Sequence, residues 1–250
     1  MNEILIFDLK GRLAHFRKYF TNSSSLSYTY PPRTVIIGLV AGLMGDERDT
    51  YYEKFNDSHC KIAVSLRTPV RKIMQTMNYI NTSNYSIDAF LSDNPNIEHV
   101  QIPLEIVCPV DDPEICYRIY LSCESIHQKF KNRLELLHFV YPPYLGITEF
   151  LGEIECVSTA GTISEIPSGG AVELNSICRK SAITDRGLKF EEANAQYLLE
   201  KMPADFSGNR EITRYEEYIF ERSGKAILAS LNEPAYQVSY NGQSENILFM

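Results

Sequence analysis

The sequence predicts an α+β fold, and three observations predict that class. Short apolar runs of strand length recur through the first 158 residues, and two segments with helical apolar spacing interrupt them. The remaining residues carry weaker patterns and clear turn signals. Over 250 residues, a hydrophobic content of 44% with 11% aromatic residues can fill a substantial core.

The first elements are a strand at Ile4 to Phe7 and a helix that starts after Pro31-Pro32 and ends at Gly45. Gly38 and Gly42 on this helix indicate close packing against a sheet. A loop of about two dozen residues separates the two elements, and so long a loop is usually functional or disordered.

The next elements follow in order. Alternation at Cys60 to Leu66 predicts a half-buried strand. Two further strands, Val100 to Cys108 and Ile115 to Ser122, flank an Asp- and Pro-rich turn and are predicted to pair as a hairpin. A helix follows at residues 125–137, with Ser125 and Gln128 resembling a capping box, and a last strand lies at residues 147–157.

With one strand of the predicted hairpin set aside, the order strand, helix, strand, strand, helix, strand is the ferredoxin-like plan, which RNA-recognition (RRM-like) modules also use. We therefore predict a ferredoxin-like domain at residues 1–158 with an irregular or β-hairpin insertion at about residues 68–99. A smaller, irregular C-terminal β subdomain is predicted at residues 159–250. Within it, residues 215–222 and 225–230 flank Ser223-Gly224 and predict a hairpin.

The long first loop has a composition suited to RNA, because cations bind phosphates and planar rings stack on bases. Between Leu9 and Gly45 there are five Lys and Arg residues and no acid. The candidate RNA-binding residues here are Lys10, Arg12, His15, Arg17, Lys18, Tyr19, Asn22, Ser23, Ser24, Tyr28, Arg33 and Thr34. Arg33 and Thr34 would stand at a helix N-terminus, where backbone N–H groups attract anions.

The insertion repeats this mixture of cations, amides and apolar groups directly after a strand, and predicts a second, smaller binding loop. Its candidate residues are Arg67, Arg71, Lys72, Met74, Gln75, Asn78 and Tyr79.

The charge is unevenly distributed along the chain. Residues 1–80 contain 11 Lys and Arg against 7 Asp and Glu, a net of +4, which leaves −12 for the rest of a chain whose total is −8. A basic groove on an acidic body fits this asymmetry, because binding follows the local field. The alternative is an ordinary acidic surface with a solvated basic loop.

Several function classes lack support. The sequence has no P-loop, zinc-protease, serine-hydrolase or calcium-loop motif, and its six cysteines form no CxxC pair, so we predict no cofactor and no metal. Buried free thiols in a cytoplasmic protein are expected. The acidic N-terminus does not resemble a signal peptide, and no apolar run reaches the roughly 18 residues of a membrane span.

Three stretches carry a family resemblance. Residues 7–45, FDLKGRLAHFRKYFTNSSSLSYTYPPRTVIIGLVAGLMG, closely resemble the N-terminal signature of the CRISPR-associated RAMP proteins of Cas family five, especially the type I-B form. PPYLGITEFLG at residues 142–152 and MPADFSGNREITRYEEYIFE at residues 202–221 also resemble that family.

The resemblance implies a RAMP domain that caps the 5′ handle of the CRISPR RNA in a Cascade surveillance complex. Its partners would be that RNA, the backbone and large subunits and, through the assembled complex, target DNA, with no membrane. The insertion would be the family's thumb. One type I-C branch is itself an endoribonuclease that uses tyrosine and an adjacent lysine and histidine; this chain has no Lys-His dipeptide, and Pro32-Arg33-Thr34 replaces the tyrosine-bearing motif.

The sequence therefore favours a non-catalytic RNA-binding subunit. The enzyme alternative is a metal-independent ribonuclease in which His15 acts as general acid or base, although a lone histidine can equally bind a phosphate or pack. A purely structural interaction protein is the third alternative.

Overall fold

The computed structural model describes residues 3–21, 25–81, 99–190 and 195–250. The first strands are β1 (Glu3–Gly11), β2 (Phe16–Arg17), β3 (Ser27–Tyr28), β4 (Cys60–Leu66), β5 (Val70–Ile80), β6 (His99–Pro109), β7 (Ile115–Cys123) and β8 (Glu153–Ile166). They are followed by β9 (Ala171–Leu174), β10 (Cys178–Arg179), β11 (Ile183–Leu188), β12 (Tyr197–Phe206), β13 (Ile212–Glu221), β14 (Ile227–Leu231), β15 (Ala235–Tyr240) and β16 (Gln243–Ile247). The α-helices in the described residues are α1 (Arg33–Met44) and α2 (His127–Leu136).

A six-stranded antiparallel sheet in the order β16-β15-β8-β1-β7-β4 organises the mostly β molecule. Along the chain, α1 connects β1 to β4 and α2 connects β7 to β8. Both helices pack on one face of the sheet; the Phe7 and Phe130 ring centroids, for example, lie 5.6 Å apart. Along the chain, β1, α1, β4, β7, α2 and β8 follow in that order, with β5 and β6 between β4 and β7.

The bounds of α1 confirm the sequence prediction. The helix starts directly after Pro32, and Gly45 ends it with φ of 78°, a left-handed conformation that glycine adopts without strain. The apolar spacing of α2 predicts a buried face of Ile126, Phe130, Leu134 and Leu137. Ile126, Phe130 and Leu134 are buried, but Leu137 lies just after the helix and is 56% exposed, so the prediction is wrong for that residue. The predicted capping box is wrong, because Ile126 occupies the N-cap and no side chain caps this helix.

The insertion is a long hairpin of β5 and β6, paired from Val70 opposite Pro109 to Ile80 opposite His99. A hairpin at this place was one of the predicted alternatives. The predicted pairing of β6 with β7 is wrong, since β7 lies in the sheet between β1 and β4. The reason is burial: Tyr117 and Tyr120 of β7 are both fully buried on opposite sheet faces, which suits a central strand.

The described residues of the first loop contain more regular structure than the sequence indicates. They include the short strands β2 and β3, and isolated bridges join Ala14 to Val107 and Ser25 to Leu104 of β6. Backbone groups of β6 therefore form the hydrogen bonds that a solvated loop would form with water.

The C-terminal strands form two three-stranded sheets, β10-β13-β12 and β11-β14-β9, before β15 and β16 join the central sheet. The boundary predicted after residue 158 falls inside β8. The predicted hairpin around Ser223-Gly224 is wrong, because β13 and β14 belong to different sheets. Gly224, with φ of 81°, lies against Leu66. An added Cβ would be 2.3 Å from the Leu66 carbonyl oxygen, so this turn requires glycine.

The longer of the two described helices, α1, has 12 residues, and no helix in the described ranges is long and apolar enough to cross a membrane.

Candidate nucleic-acid interface

A cavity of about 360 Å³ lies at the base of the β5–β6 hairpin, and we call it the basic cleft. Its lining within the described residues includes four cationic side chains and one acid: Lys18, Arg71, Lys72, Arg222 and Glu200. Thr29, Val70, Leu198 and Leu199 complete the lining. The cleft therefore joins the two segments that the sequence predicts as separate binding loops, and it carries an excess of positive charge suited to phosphate.

The buried carboxylate of Glu200 holds the two lysines in place. Its Oε1 atom lies 3.3 Å from Lys18 Nζ and 3.1 Å from Lys72 Nζ, and its Oε2 atom accepts the Thr29 N–H at 2.9 Å. Lys72 Nζ also donates to the Ser27 carbonyl at 2.6 Å. Lys72 Nζ also lies 3.6 Å from Glu105 Oε2, so two acids orient the two lysines, while Arg71 is exposed beside them.

Arg222 was not predicted from the sequence, because this residue lies more than 200 residues from Lys18 and ends an ordinary strand pattern. Its Nε donates to the Val70 carbonyl at 3.1 Å and its Nη1 to Gln196 Oε1 at 3.2 Å. These bonds fix the guanidinium at the mouth of the hairpin. No local signal in the sequence distinguishes it from a solvated surface arginine.

Arg33 requires a correction, because it is fully buried and does not present a cation to solvent. Its Nη2 donates to the carbonyls of Phe55 at 2.7 Å and Cys60 at 2.8 Å, and its Nη1 donates to Ala204 at 3.2 Å. This side chain therefore connects α1 to two other segments of the chain. The adjacent Thr34 is half-buried in the first turn of α1.

His15 is also buried rather than exposed in the loop. Nδ1–H donates to the Glu105 carbonyl at 2.7 Å, and the Ser25 hydroxyl donates to Nε2 at 2.9 Å. Burial, with a smaller contribution from Arg17, lowers the pKa of His15, so the imidazole is neutral. With both nitrogens engaged inside the protein, His15 stabilises the loop and does not face a ligand at the surface.

Tyr28 is buried as well, which corrects its predicted contact with sugars or bases. Its hydroxyl donates to the Lys201 carbonyl at 3.0 Å, and burial raises its pKa. Lys18 Nζ lies 5.5 Å from the centroid of its ring. Tyr28 thus contacts Lys18 from inside the protein and does not line the cleft.

Lys10 and Arg67 belong to a different surface from the basic cleft. Lys10 forms a hydrogen bond with Glu155 that raises the lysine pKa, and Arg67 Nη2 contacts both Glu245 oxygens at 2.6 Å. Both residues line a cavity of about 470 Å³ whose acids are Asp8, Asp112, Glu114, Glu155 and Glu245. Because those carboxylates outnumber its cations, this cavity does not suit a phosphate.

The remaining predicted residues divide by position. Arg12, Arg17 and Tyr19 are exposed near the first loop, and Met74, Gln75 and Asn78 are exposed on β5. Tyr79 is half-buried, and this burial raises its pKa. Asn22, Ser23 and Ser24 lie outside the described residues.

Within the part of the chain that the structure describes, no three His, Cys, Asp or Glu side chains come together as metal ligands. The six cysteines are all free thiols, and five of them are buried.

Comparison with known proteins gives a match at the level of fold. No protein-family model matches the sequence, and neither does any curated protein. A crystal structure of a CRISPR protein from Archaeoglobus fulgidus matches with a TM-score of 0.56 and 12% identity, over 98% of this chain and 99% of that chain. This chain therefore shares its fold with a CRISPR protein.

Two further solved structures have lower scores. A chain of a CRISPR RNA-guided surveillance complex matches with a TM-score of 0.48 and 13% identity, covering 92% of both chains. A chain of the Type III-B Cmr-beta complex bound to cognate target RNA matches with a TM-score of 0.47 and 11% identity, over 90% of this chain and 86% of that one. The conclusion about fold depends on the Archaeoglobus match alone.

Proposed function

We propose that this chain is a non-catalytic RNA-binding subunit of a CRISPR surveillance complex. In finer detail, we propose a ferredoxin-like RAMP protein of Cas family five that caps the 5′ handle of the CRISPR RNA in a type I-B Cascade. Its partners are the CRISPR RNA and the backbone and large subunits, and it contributes to target DNA binding through the assembled complex.

The basic cleft is the observation that carries this proposal. Lys18, Arg71, Lys72 and Arg222 converge at the base of the hairpin from three distant parts of the chain. A protein that only needed a stable fold would gain little from concentrating like charges around an open cavity, because they repel one another. A polyanion compensates that repulsion and releases counterions when it binds.

The β5–β6 hairpin supports the same proposal, since it presents an exposed strand of mixed chemistry beyond the cleft. The side chains of Met74, Gln75 and Asn78 are exposed along β5. In the complex, this hairpin is the thumb, and its apolar groups contact a guide strand and a neighbouring subunit. The shared fold with a CRISPR protein and the resemblance of residues 7–45 support this assignment.

The test is the salt dependence of binding to a labelled single-stranded RNA that carries the handle sequence. Arg71→Ala removes an exposed cation of the cleft, whereas Lys129→Ala removes an exposed cation from α2 and is the matched control. We expect Arg71→Ala to weaken binding and to reduce the log–log salt slope by about 0.7, the value for one phosphate contact on a single strand. Equal slopes for the two variants would refute the cleft as the RNA site.

A second measurement tests the ribonuclease alternative. Precursor CRISPR RNA is incubated with the purified chain in EDTA, and the products are resolved on a denaturing gel. We expect intact RNA, because His15 is buried and both of its nitrogens are occupied. A specific cleavage product that depends on this chain would show that the protein is an enzyme.

A further inference from the structure

Three aromatic rings form an exposed cluster beside the basic cleft, and we call them the aromatic platform: Tyr19, Phe20 and Tyr215. Their exposed fractions are 42%, 57% and 40%. The ring centroids of Tyr19 and Phe20 lie 5.2 Å apart, and those of Tyr19 and Tyr215 lie 4.7 Å apart. The Phe20 ring is nearly perpendicular to the Tyr19 ring, at 88°, and the Tyr215 ring is inclined to it by 44°, so a planar ligand can stack on one exposed ring at a time.

The platform is held in position before any ligand binds. The Lys18 N–H donates to the Leu26 carbonyl at 2.8 Å, and the Thr21 hydroxyl donates to the Lys18 carbonyl at 2.8 Å, which closes the turn that carries Tyr19 and Phe20. Tyr215 lies on β13, opposite Pro203 of β12. Because a loop and a sheet supply the rings separately, their contact depends on the fold, and little ordering is required on binding.

Cations surround the rings, which favours a nucleic acid over an apolar protein segment. Lys201 Nζ lies 5.5 Å from the Tyr215 ring centroid, and the exposed Arg17 donates to the Thr21 carbonyl at 3.0 Å. The acids beside Lys201 already have partners: Glu200 contacts the two cleft lysines, and Glu217 contacts Lys180 at 2.7 Å. Lys201 and Arg17 therefore lie where a phosphate backbone beside the rings can contact them.

The platform is also continuous with the cleft. Lys18 lines the cleft and directly precedes Tyr19, and its Nζ lies over the ring of Tyr28, whose hydroxyl donates to the Lys201 carbonyl at 3.0 Å. A strand whose phosphate occupies the cleft can therefore extend toward the rings. We infer that the aromatic platform stacks one unpaired base of a single-stranded RNA whose neighbouring phosphate lies in the basic cleft. This inference rests on the proposed function and adds a base-stacking site that includes Phe20 and Tyr215.

The direct test uses handle RNAs in which 2-aminopurine replaces one base at a time, because stacking quenches the fluorescence of this base. We expect one position to be quenched on binding to the unaltered chain and to recover its fluorescence with Phe20→Leu. Tyr215→Phe keeps the ring and should keep the quenching. Tyr141→Leu removes an exposed ring that lines a groove with Gly38 and Leu39 of α1, and is the matched control.

The affinity test combines protein and RNA changes. Phe20→Leu should weaken binding roughly 5- to 150-fold, the range for loss of one base–aromatic stack, without changing the salt slope. An abasic nucleotide at the quenched position should weaken RNA binding to the unaltered chain to a similar extent. The same nucleotide should weaken binding to the Phe20→Leu variant little further, because the stacking contact is already lost. Such coupling identifies the contact between ring and base.

The outcomes separate this inference from the proposed function. If Arg71→Ala weakens RNA binding while Phe20→Leu and the abasic RNA have no effect, the platform inference is overturned and the cleft remains. If the unaltered chain binds no RNA, both are overturned. If Phe20→Leu binds RNA normally but no longer assembles with neighbouring subunits, the rings contact protein and the inference is overturned.

Discussion

Replacement of the buried Arg33 distinguishes a structural role from an RNA-binding role for that residue. Arg33→Met retains an unbranched side chain of similar volume but removes the guanidinium. The carbonyls of Phe55, Cys60 and Ala204 would then lose their donor inside the protein, and Asp205, 3.5 Å from Nη1, would lose its cation. We expect lower stability and unchanged RNA affinity in the folded protein.

The magnitude follows from these contacts. Breaking a buried, hydrogen-bonded charge pair by removing one partner costs about 3–5 kcal/mol. For a chain of 250 residues, each kcal/mol lowers the melting temperature by about 2–4 °C. We therefore expect Arg33→Met to lower the melting temperature by about 6–20 °C. Arg33→Lys keeps the charge but not the forked donors of arginine, so its melting temperature should lie between those of the parent and Arg33→Met.

The assay is thermal unfolding followed by circular dichroism, with RNA affinity measured well below the transition. Arg71→Ala is the matched control, because it removes an exposed arginine from the cleft and should reverse the pattern, with weaker RNA binding at nearly unchanged stability. An Arg33→Met protein that melts normally yet binds RNA weakly would refute the structural role and restore the phosphate contact that the sequence predicts.

Three further predictions concern other parts of the molecule. Although burial opposes it, hydrogen bonds led by that of Arg67 hold the pKa of Glu245 below its ordinary value, so stability should fall as the pH drops from about 4.3 through this lower pKa. Urea unfolding across that range should show a shallower dependence for Glu245→Gln. His15→Ala should lower the free energy of unfolding by about 1–3 kcal/mol, measured by urea unfolding, because the Glu105 carbonyl and Ser25 lose a buried partner, and should leave guide-RNA processing unchanged when the separate processing enzyme is present. Met74→Ser should change stability by less than about 0.5 kcal/mol, because this side chain is exposed, yet weaken reconstitution of the complex on guide RNA.

Each of these predictions has a result that contradicts it. If Glu245→Gln and the parent protein lose equal stability as the pH falls, Glu245 is not the group that titrates. A His15→Ala protein that folds and binds RNA but abolishes cleavage would support the ribonuclease alternative. Normal assembly by Met74→Ser, matching the exposed control Leu136→Ser, would contradict a role for the hairpin in assembly.

Local patterns predicted the elements whose causes are local. Pro32 and Gly45 bound α1 because proline suits a helix start and glycine adopts the left-handed end without strain. The apolar run from Cys60 to Leu66 predicted β4, although the predicted half-burial is wrong because Ala63 and Ser65 are buried too, and the spacing of Phe130 and Leu134 predicted the buried face of α2. Burial of one face of a helix requires apolar residues at regular intervals, so the sequence shows this spacing directly.

Pairing and burial were decided by the tertiary structure. The sequence paired β6 with β7 and β13 with β14 because neighbours in the chain often form hairpins, but a strand can satisfy its backbone groups with any suitably placed edge. The sequence likewise cannot distinguish the buried Arg33 from the exposed Arg71, since each arginine closely follows a proline and precedes apolar residues. Their difference arises from carbonyls and carboxylates that lie far away in the chain.

The candidate interface shows the same division. The composition of the first loop and of the insertion was enough to predict that cations and rings bind an anionic, planar ligand, because charge and aromatic character belong to each residue alone. Convergence of Lys18, Lys72 and Arg222 on one cleft, and of Phe20 and Tyr215 on one platform, depends on β12 and β13 packing beside the first loop. Such long-range contacts leave no periodic signal in the sequence, so only the folded chain determines which of its cations and rings act together.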